Sequence, residues 1–240
     1  MNRLFIATRG VSSWRERLAN PDRQWKRACS ALETAVSWES ASSSPAGVPE
    51  AIVESFRGSI YADPVLVLAI AEHKVPLAGK GGDSQCDVWA LLHSNSGGIS
   101  LSVEGKAKEG FGAGNESLAE WLANDKEAVQ SNRRLRWEGI QKHLPPSGEN
   151  AYSQVAYQLL HRCAAAVIEA RRLRLPNAAF VVQAFESPSE SFTEFARLCR
   201  ALGVKAEHGR IQMIAVGDVR LGIGWADCPL ATDSQMAALV

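Results

Sequence analysis

The sequence predicts an α/β domain: a central mixed β-sheet with helices on both sides. Three observations point there. An apolar run, Val88–Leu92, is followed by a polar turn, His93–Gly98, and a second run, Ile99–Lys106, which reads as two strands joined by a hairpin. Val65–Ile70 and Ala178–Phe185 are short continuous apolar runs. The second reads as a buried strand, the first as a buried strand or a short helix. Helix-spaced segments stand between them. With 240 residues, 46% hydrophobic and 22% charged, the chain suits one domain with a sizeable core. We place N-terminal helices (13–57) against a core (60–228) within a single domain, 1–240.

In chain order, Ser13 is read as the cap of a helix from Trp14 to about Ala19, because a serine oxygen accepts the free N–H groups of a first turn. Asn20-Pro21 breaks it, and Asp22 caps the next, Arg23 to about Ala41, where Trp25, Ala28, Leu32, Ala35 and Val36 have helical spacing. The segment after Ala41 is a loop, and Pro49 suits the first turn of a helix, Glu50–Phe56. Beyond the hairpin, helices are expected at Ser117–Ala123, Lys126–His143, Ser153–Leu173 and Ser191–Leu202. A closing hairpin, Ile211–Val216 and Leu221–Trp225, turns at Gly217-Asp218. The tail after Pro229 is expected to be loose.

Lys+Arg and Asp+Glu both number 26, so the formal net charge is +0. A protein living on duplex DNA is usually basic, so any nucleic-acid contact here must be a local patch. Lys74, Lys108, Arg133, Arg134 and Arg162 are the candidates for it. The five cysteines (29, 86, 163, 199, 228) are odd in number and show no Cys-x-x-Cys, against a disulfide framework or a zinc site. Cys29, Cys163 and Cys199 fall in helical patterns and read as small buried residues. No stretch reads as a signal peptide or membrane span, and a reducing cytoplasm is the expected compartment. Gly110-Phe111-Gly112-Ala113-Gly114-Asn115 has the look of a dinucleotide loop, but Asn115 stands where the third glycine belongs. A tight turn is the simpler reading.

The chemistry concentrates in the hairpin. Asp87 opens its first strand, and Glu104 and Lys106 close its second, at the end away from the turn. Side chains two apart on a strand share a face, so Glu104 and Lys106 point together and Asp87 lies across from them. Two carboxylates make a hard oxygen site for Mg²⁺ or Mn²⁺, and a neighbouring lysine can orient water or stabilise charge on phosphorus. The plain alternative is a solvated Glu-x-Lys ion pair. Because these carboxylates sit at a strand end, removing either should leave the fold intact and raise the melting temperature slightly. Gln85 shares the face of Asp87 and either assists a metal-bound water or caps the strand. Glu72, at a strand end near Asp87, is a further metal ligand or a surface charge. His161 reads as a hydrogen-bonded helix residue.

Asp87 with Glu104-Gly105-Lys106 resembles the signature of the PD-(D/E)XK, restriction-endonuclease-like, nuclease superfamily. Ser37-Trp38-Glu39, Glu72-His73-Lys74-Val75-Pro76-Leu77, Ser84-Gln85-Cys86-Asp87 and Tyr157-Gln158-Leu159-Leu160-His161-Arg162 are similar to a bacterial group of unassigned function in that superfamily. Cys86 stands where the superfamily name has proline. The resemblance implies a restriction-endonuclease-like core and catalytic Asp87, Glu104 and Lys106, with Gln85 assisting. It implies Mg²⁺ (or Mn²⁺) on Asp87 and Glu104, with Glu39 where many such nucleases place an extra carboxylate and Glu72 as another. Gln158 and Arg162 become supporting residues on the helix behind the strands. The partner implied is nucleic acid, DNA before RNA, with no membrane and with a homodimer left open. The rival reading is a non-catalytic interaction module that keeps the fold without turnover; neutral charge favours the module, the intact triad the enzyme.

Overall fold

A computed structural model describes residues 8–111, 116–123, 126–148 and 150–239. Six strands form one sheet: β1 (Val65–Val75), β2 (Ser84–Ser94), β3 (Gly97–Lys106), β4 (Asn177–Phe185), β5 (Ile211–Val216) and β6 (Val219–Cys228), in the order β1-β2-β3-β4-β6-β5. The hairpins β1–β2, β2–β3 and β5–β6 are antiparallel, while β3, β4 and β6 run parallel. Parallel neighbours need long return connections. The one from β3 to β4 carries α5 (Leu118–Leu122), α6 (Glu127–Gln141) and α7 (Tyr157–Leu173); the one from β4 carries α8 (Ser189–Ala201) before β5 and β6. The sheet is therefore mixed and flanked by helices, as the sequence predicts.

Strand alternation divides the core between the two faces. Ile99, Leu101 and Val103 of β3 join Val88, Ala90 and Leu92 of β2 beneath α3 (Ser30–Ala41) and α4 (Glu50–Phe56), through Leu32, Val36, Ile52 and Phe56. The other face of β3 carries Ser100, Ser102, Glu104 and Lys106, all buried. It meets α7 rather than water. Ser100 Oγ donates to the Ala166 carbonyl of α7 at 2.9 Å and accepts from Trp89 Nε1 at 3.0 Å. Small hydroxyls let the helix backbone approach, and the Ser100 and Ser102 hydroxyls both find partners. On this face α7 and α8 pack against Phe180, Val182, Ile223 and Trp225.

Several boundaries differ from expectation for local reasons. Ser13 does not cap: its Oγ donates to the Gly10 carbonyl at 2.8 Å and accepts from Arg9 N–H at 2.9 Å, and α1 is only Ser12–Arg15. Asp22 lies inside the short α2 (Pro21–Gln24) and pairs with Arg15 at 3.1 Å. The long N-terminal helix is interrupted at Ala28, where φ is 57°. Glu33 fixes the break, its Oε1 accepting the Ala28 N–H at 2.8 Å, so α3 starts only at Ser30 and Cys29 lies outside it. The other Glu33 oxygen accepts Ala231 N–H at 2.7 Å. That bond ties down a tail expected to be loose: it forms α9 (Asp233–Leu239), and Arg27 pairs with Asp233 at 2.8 Å. Residues 153–156 precede α7 rather than opening it. Val155 and Ser153 carbonyls accept the Leu118 and Ala119 N–H groups at the start of α5. Of the glycine-rich loop, residues 112–115 lie outside the described residues.

Candidate active site

β1 and β2 both break their alternation at one place. Ala71 and Val88 are paired and both lie on the α3 side. His73 and Cys86, the pair two residues on, lie on the α7 side: the His73 ring meets Trp89 at a tilt of 40° and Cys86 packs with Ala165. Residues two apart should share a face, so both strands turn over at the residues between, Glu72 and Asp87. Glu72 does so with φ at 54°. A left-handed glutamate costs about 1–2 kcal/mol, and such strain clusters at functional sites.

The turnover places Asp87 where the β2–β3 ladder stops. The backbone pairing ends at Val88–Val103, and Asp87 Oδ2 then accepts the Gly105 N–H at 2.7 Å. A carboxylate thus takes the place of a strand carbonyl beside Glu104. Gly105 is required here because α3 lies directly over it. A β-carbon would stand 2.2 Å from Thr34 Oγ1 and 3.3 Å from Asp87 Oδ2.

Glu104 is the hub. It is 2% exposed and Lys106 4%, which rules out the solvated pair. Lys106 Nζ lies 2.9 Å from Glu104 Oε1, and Gln158 Nε2 donates to the same oxygen at 2.7 Å. Arg162 Nε donates to Oε2 at 2.7 Å. Gln158 and Arg162 are four apart on α7 and so present one face to the strand. Arg162 also donates to Ser84 Oγ at 3.3 Å, and that hydroxyl meets His161 Nδ1 at 2.8 Å. Lys106 further lies over the Phe111 ring, 4.9 Å from its centre.

The electrostatics follow from this packing. Burial raises Asp87 well above the usual carboxylate range, and the charges of Glu104 and then Glu72 push it the same way. Burial likewise raises Glu72 to about 7, reinforced by Glu104 and opposed by a 2.6 Å hydrogen bond from Gln85 Nε2. Burial acts on Glu104 too, but the Lys106 and Arg162 charges outweigh it and hold this carboxyl below its ordinary value. Burial, with Arg162 and Arg136 nearby, lowers His161 well below its ordinary value, so it stays neutral on Ser84. Asp87 and Glu72 thus disfavour ionisation for the same two reasons, burial and the charge of Glu104.

Asp87, Glu104, Lys106, Gln85, Glu72, Gln158 and Arg162 are therefore brought into one neighbourhood. Glu39 is placed differently: it accepts from Trp14 Nε1 at 2.7 Å. Among the described residues no hydrogen bond or ion pair joins it to Asp87, Glu104 or Lys106. Of the basic candidates, Arg162 is committed to Glu104, and Arg133 donates to the Trp121 carbonyl over the Trp121 ring. Lys74, Lys108 and Arg134 are exposed. Thr34 is the neighbour that sequence reasoning missed. Only the glycine of Glu104-Gly105-Lys106 signals that another element must come close there.

Asp87 and Glu104 are carboxylates, the hard oxygen donors that a divalent cation takes. Glu72, Asp87 and Glu104 outnumber the buried cations Lys106 and Arg162, and Gln158 Oε1 is a buried acceptor with no hydrogen-bond partner beside Glu104. Among the described residues no group of three His, Cys, Asp or Glu side chains is placed to hold a metal ion. Among those residues, too, no helix is long and apolar enough to cross a membrane. Comparison with curated proteins and with solved structures returns no match. A family profile matches residues 7–229, nearly the whole chain, and the chain belongs to that family, described as a domain of unknown function (DUF6946).

Proposed function

We propose that this protein hydrolyses phosphodiester bonds in nucleic acid, DNA before RNA, with Mg²⁺ or Mn²⁺ at Asp87 and Glu104. The observation that carries this reading is the buried Glu104–Lys106 pair with the Asp87 carboxylate pinned beside it by the Gly105 amide. A bound divalent ion would supply polarisation of a phosphoryl oxygen and a water of lowered pKa. The chain's own groups do the rest. Asp87 and Glu104 offer hard oxygens on adjoining strands. Lys106 Nζ is the ammonium nearest Glu104 and stabilises negative charge developing on phosphorus. Arg162 and Gln158 fix the Glu104 carboxylate so that its orientation costs nothing when substrate arrives. The outward Gln85, bonded to Glu72, stands beside Asp87 to orient water. The five cysteines are free thiols, which supports a reducing cytoplasm as the compartment.

One observation favours a second reading. Both Glu104 oxygens already have partners in Lys106, Gln158 and Arg162. A network so complete can serve as a structural brace in a non-catalytic interaction module. Incubation of supercoiled and single-stranded DNA with Mn²⁺ separates the two readings. The nuclease reading expects cleavage by wild type and loss in Asp87→Asn and Lys106→Ala. The module reading expects no cleavage by any of them.

A further inference from the structure

A cavity of about 650 Å³ opens at the C-terminal ends of β4 and β6, on the side of the sheet that Glu104 and Lys106 face. Its distance from the candidate active site follows from strand register. Lys106 pairs with Ala184, and Ala184 with Asp227, across three adjacent strands. Neighbouring strands are about 4.8 Å apart, so Asp227 stands about 10 Å from Lys106. Directly paired residues share a face, and Ala184 and Trp225 lie in the core beneath α7 and α8. The cavity and the carboxylate cluster are thus two parts of one edge.

The cavity has an aromatic corner. The His208 ring lies on Phe192 with centroids 3.8 Å apart and planes at 19°, and Trp225 meets both rings edge-on at 77° to 87°. Asp227 fixes the imidazole: both its oxygens are 3.0 Å from Nδ1, and Oδ1 also accepts from Trp225 Nε1 at 2.8 Å. An ionised carboxylate has no proton to give, so Nδ1 carries the hydrogen and Nε2 is the ring's outward polar edge. With one face on Phe192 and the side chain 58% exposed, the stack ends on an imidazole face that remains open. Glu186, at φ 47°, also lines the cavity.

We infer that this corner binds an unpaired nucleobase of the strand whose phosphate reaches the carboxylate cluster. The substrate class is then single-stranded or locally unpaired nucleic acid. The inference rests on the phosphodiesterase reading. A flat base extends the Phe192–His208 stack by one layer, as aromatic platforms in single-strand-binding proteins do. A base paired within a duplex has both faces covered by its neighbours and cannot. Glu186 offers an acceptor for an exocyclic amino group of cytosine or adenine. The neutral total charge suits a site that takes its affinity from stacking rather than from many phosphate contacts.

The test is fluorescence anisotropy with a short labelled DNA strand and with the same sequence as a duplex, in EDTA, so that no metal is needed. An RNA strand of that sequence separates the two sources of unpaired base. The wild type should bind a single strand at least about ten-fold more tightly than the duplex. His208→Ala should weaken single-strand binding about ten-fold. His208→Tyr, which keeps a ring, should retain most of it, and because His208 is largely exposed both variants should fold. Duplex bound as tightly as single strand, no binding of either strand, or unchanged binding in His208→Ala would each overturn the inference. Single-strand binding without cleavage in Mn²⁺ would instead retire the hydrolytic reading and leave this site standing.

Discussion

Arg162 of α7 grips Glu104 of β3 through a 2.7 Å bond from Nε to Oε2, with both side chains withdrawn from solvent. The carboxylate is thereby the counter-charge for two buried cations, since Lys106 Nζ lies 2.9 Å from its other oxygen. Glu104→Ala leaves those cations facing one another without compensation. Breaking a buried pair in this way costs about 3–5 kcal/mol, so thermal denaturation should show a clear fall in melting temperature. This revises the expectation that a strand-end carboxylate can be removed freely. Asp87→Asn should behave in the opposite sense. It keeps an oxygen for the Gly105 amide but removes a charge that Glu104 and Glu72 repel, so its melting temperature at pH 8 should match or exceed that of wild type.

Glu72 gives stability a pH dependence of defined sign. Burial raises its carboxyl to about 7 in the folded protein, whereas an unfolded glutamate titrates near 4.3. The folded state therefore binds more protons across that window, and stability falls as pH rises through it. Glu72→Gln removes this dependence. The variant should match wild type near pH 4 and exceed it at pH 8 by about 1–3 kcal/mol, read from urea denaturation at both pH values. A difference independent of pH would mean that Glu72 is not held in the buried cluster.

Gly105 is where α3 touches the site. Gly105→Ala places a methyl 2.2 Å from Thr34 Oγ1 and should destabilise by about 1–3 kcal/mol through overpacking. Thr34 Oγ1 is itself buried without a hydrogen-bond partner, so Thr34→Ala alone should cost little. The double variant should recover most of the loss in a double-mutant cycle. Additive losses would show that the clash lies elsewhere.

The pattern of legible and illegible features has a physical basis. Strands declare themselves because runs buried on both faces, such as Ala178–Phe185, are almost wholly apolar, with Gln183 the one polar residue. Helix ends escape a sequence reading where a distant group decides them: the break at Ala28 depends on the Glu33 carboxylate, which also reaches Ala231 across the fold. Glu104 and Lys106 are legible from strand phase, Gln158 and Arg162 from helix phase, and Asp87 only from its place at the start of the strand, since β2 turns over there. The position of Glu72 is not derivable from phase, because its left-handed backbone breaks the very alternation on which such a reading relies. Burial of Glu104 and Lys106 is equally hidden. A polar-apolar alternation in β3 looks solvated until α7 covers it, and the sequence does not say that Ser100 will bond to the α7 backbone. The His208–Asp227–Trp225 corner joins residues from two separate segments by tertiary contact alone.

Lys106 separates chemistry from cation binding. Its ammonium sits on Glu104 Oε1 and against the Phe111 ring, and on the proposed reading it acts on the phosphoryl group and not as a metal ligand. Lys106→Ala should keep Mn²⁺ affinity within a few-fold of wild type while lowering single-turnover cleavage by two to three orders of magnitude, the scale of losing one electrostatic stabiliser, about 10²–10³. Unchanged cleavage would remove Lys106 from the reaction.

The central claim is that Asp87 and Glu104 together hold a divalent cation, and isothermal titration with Mn²⁺ tests it most directly. The wild type should take up one ion, and because burial and its acidic neighbours raise the Asp87 carboxyl, uptake should tighten as pH rises. Asp87→Ala should show no saturable heat at the same concentrations. Equal Mn²⁺ affinity in wild type and Asp87→Ala would contradict the site.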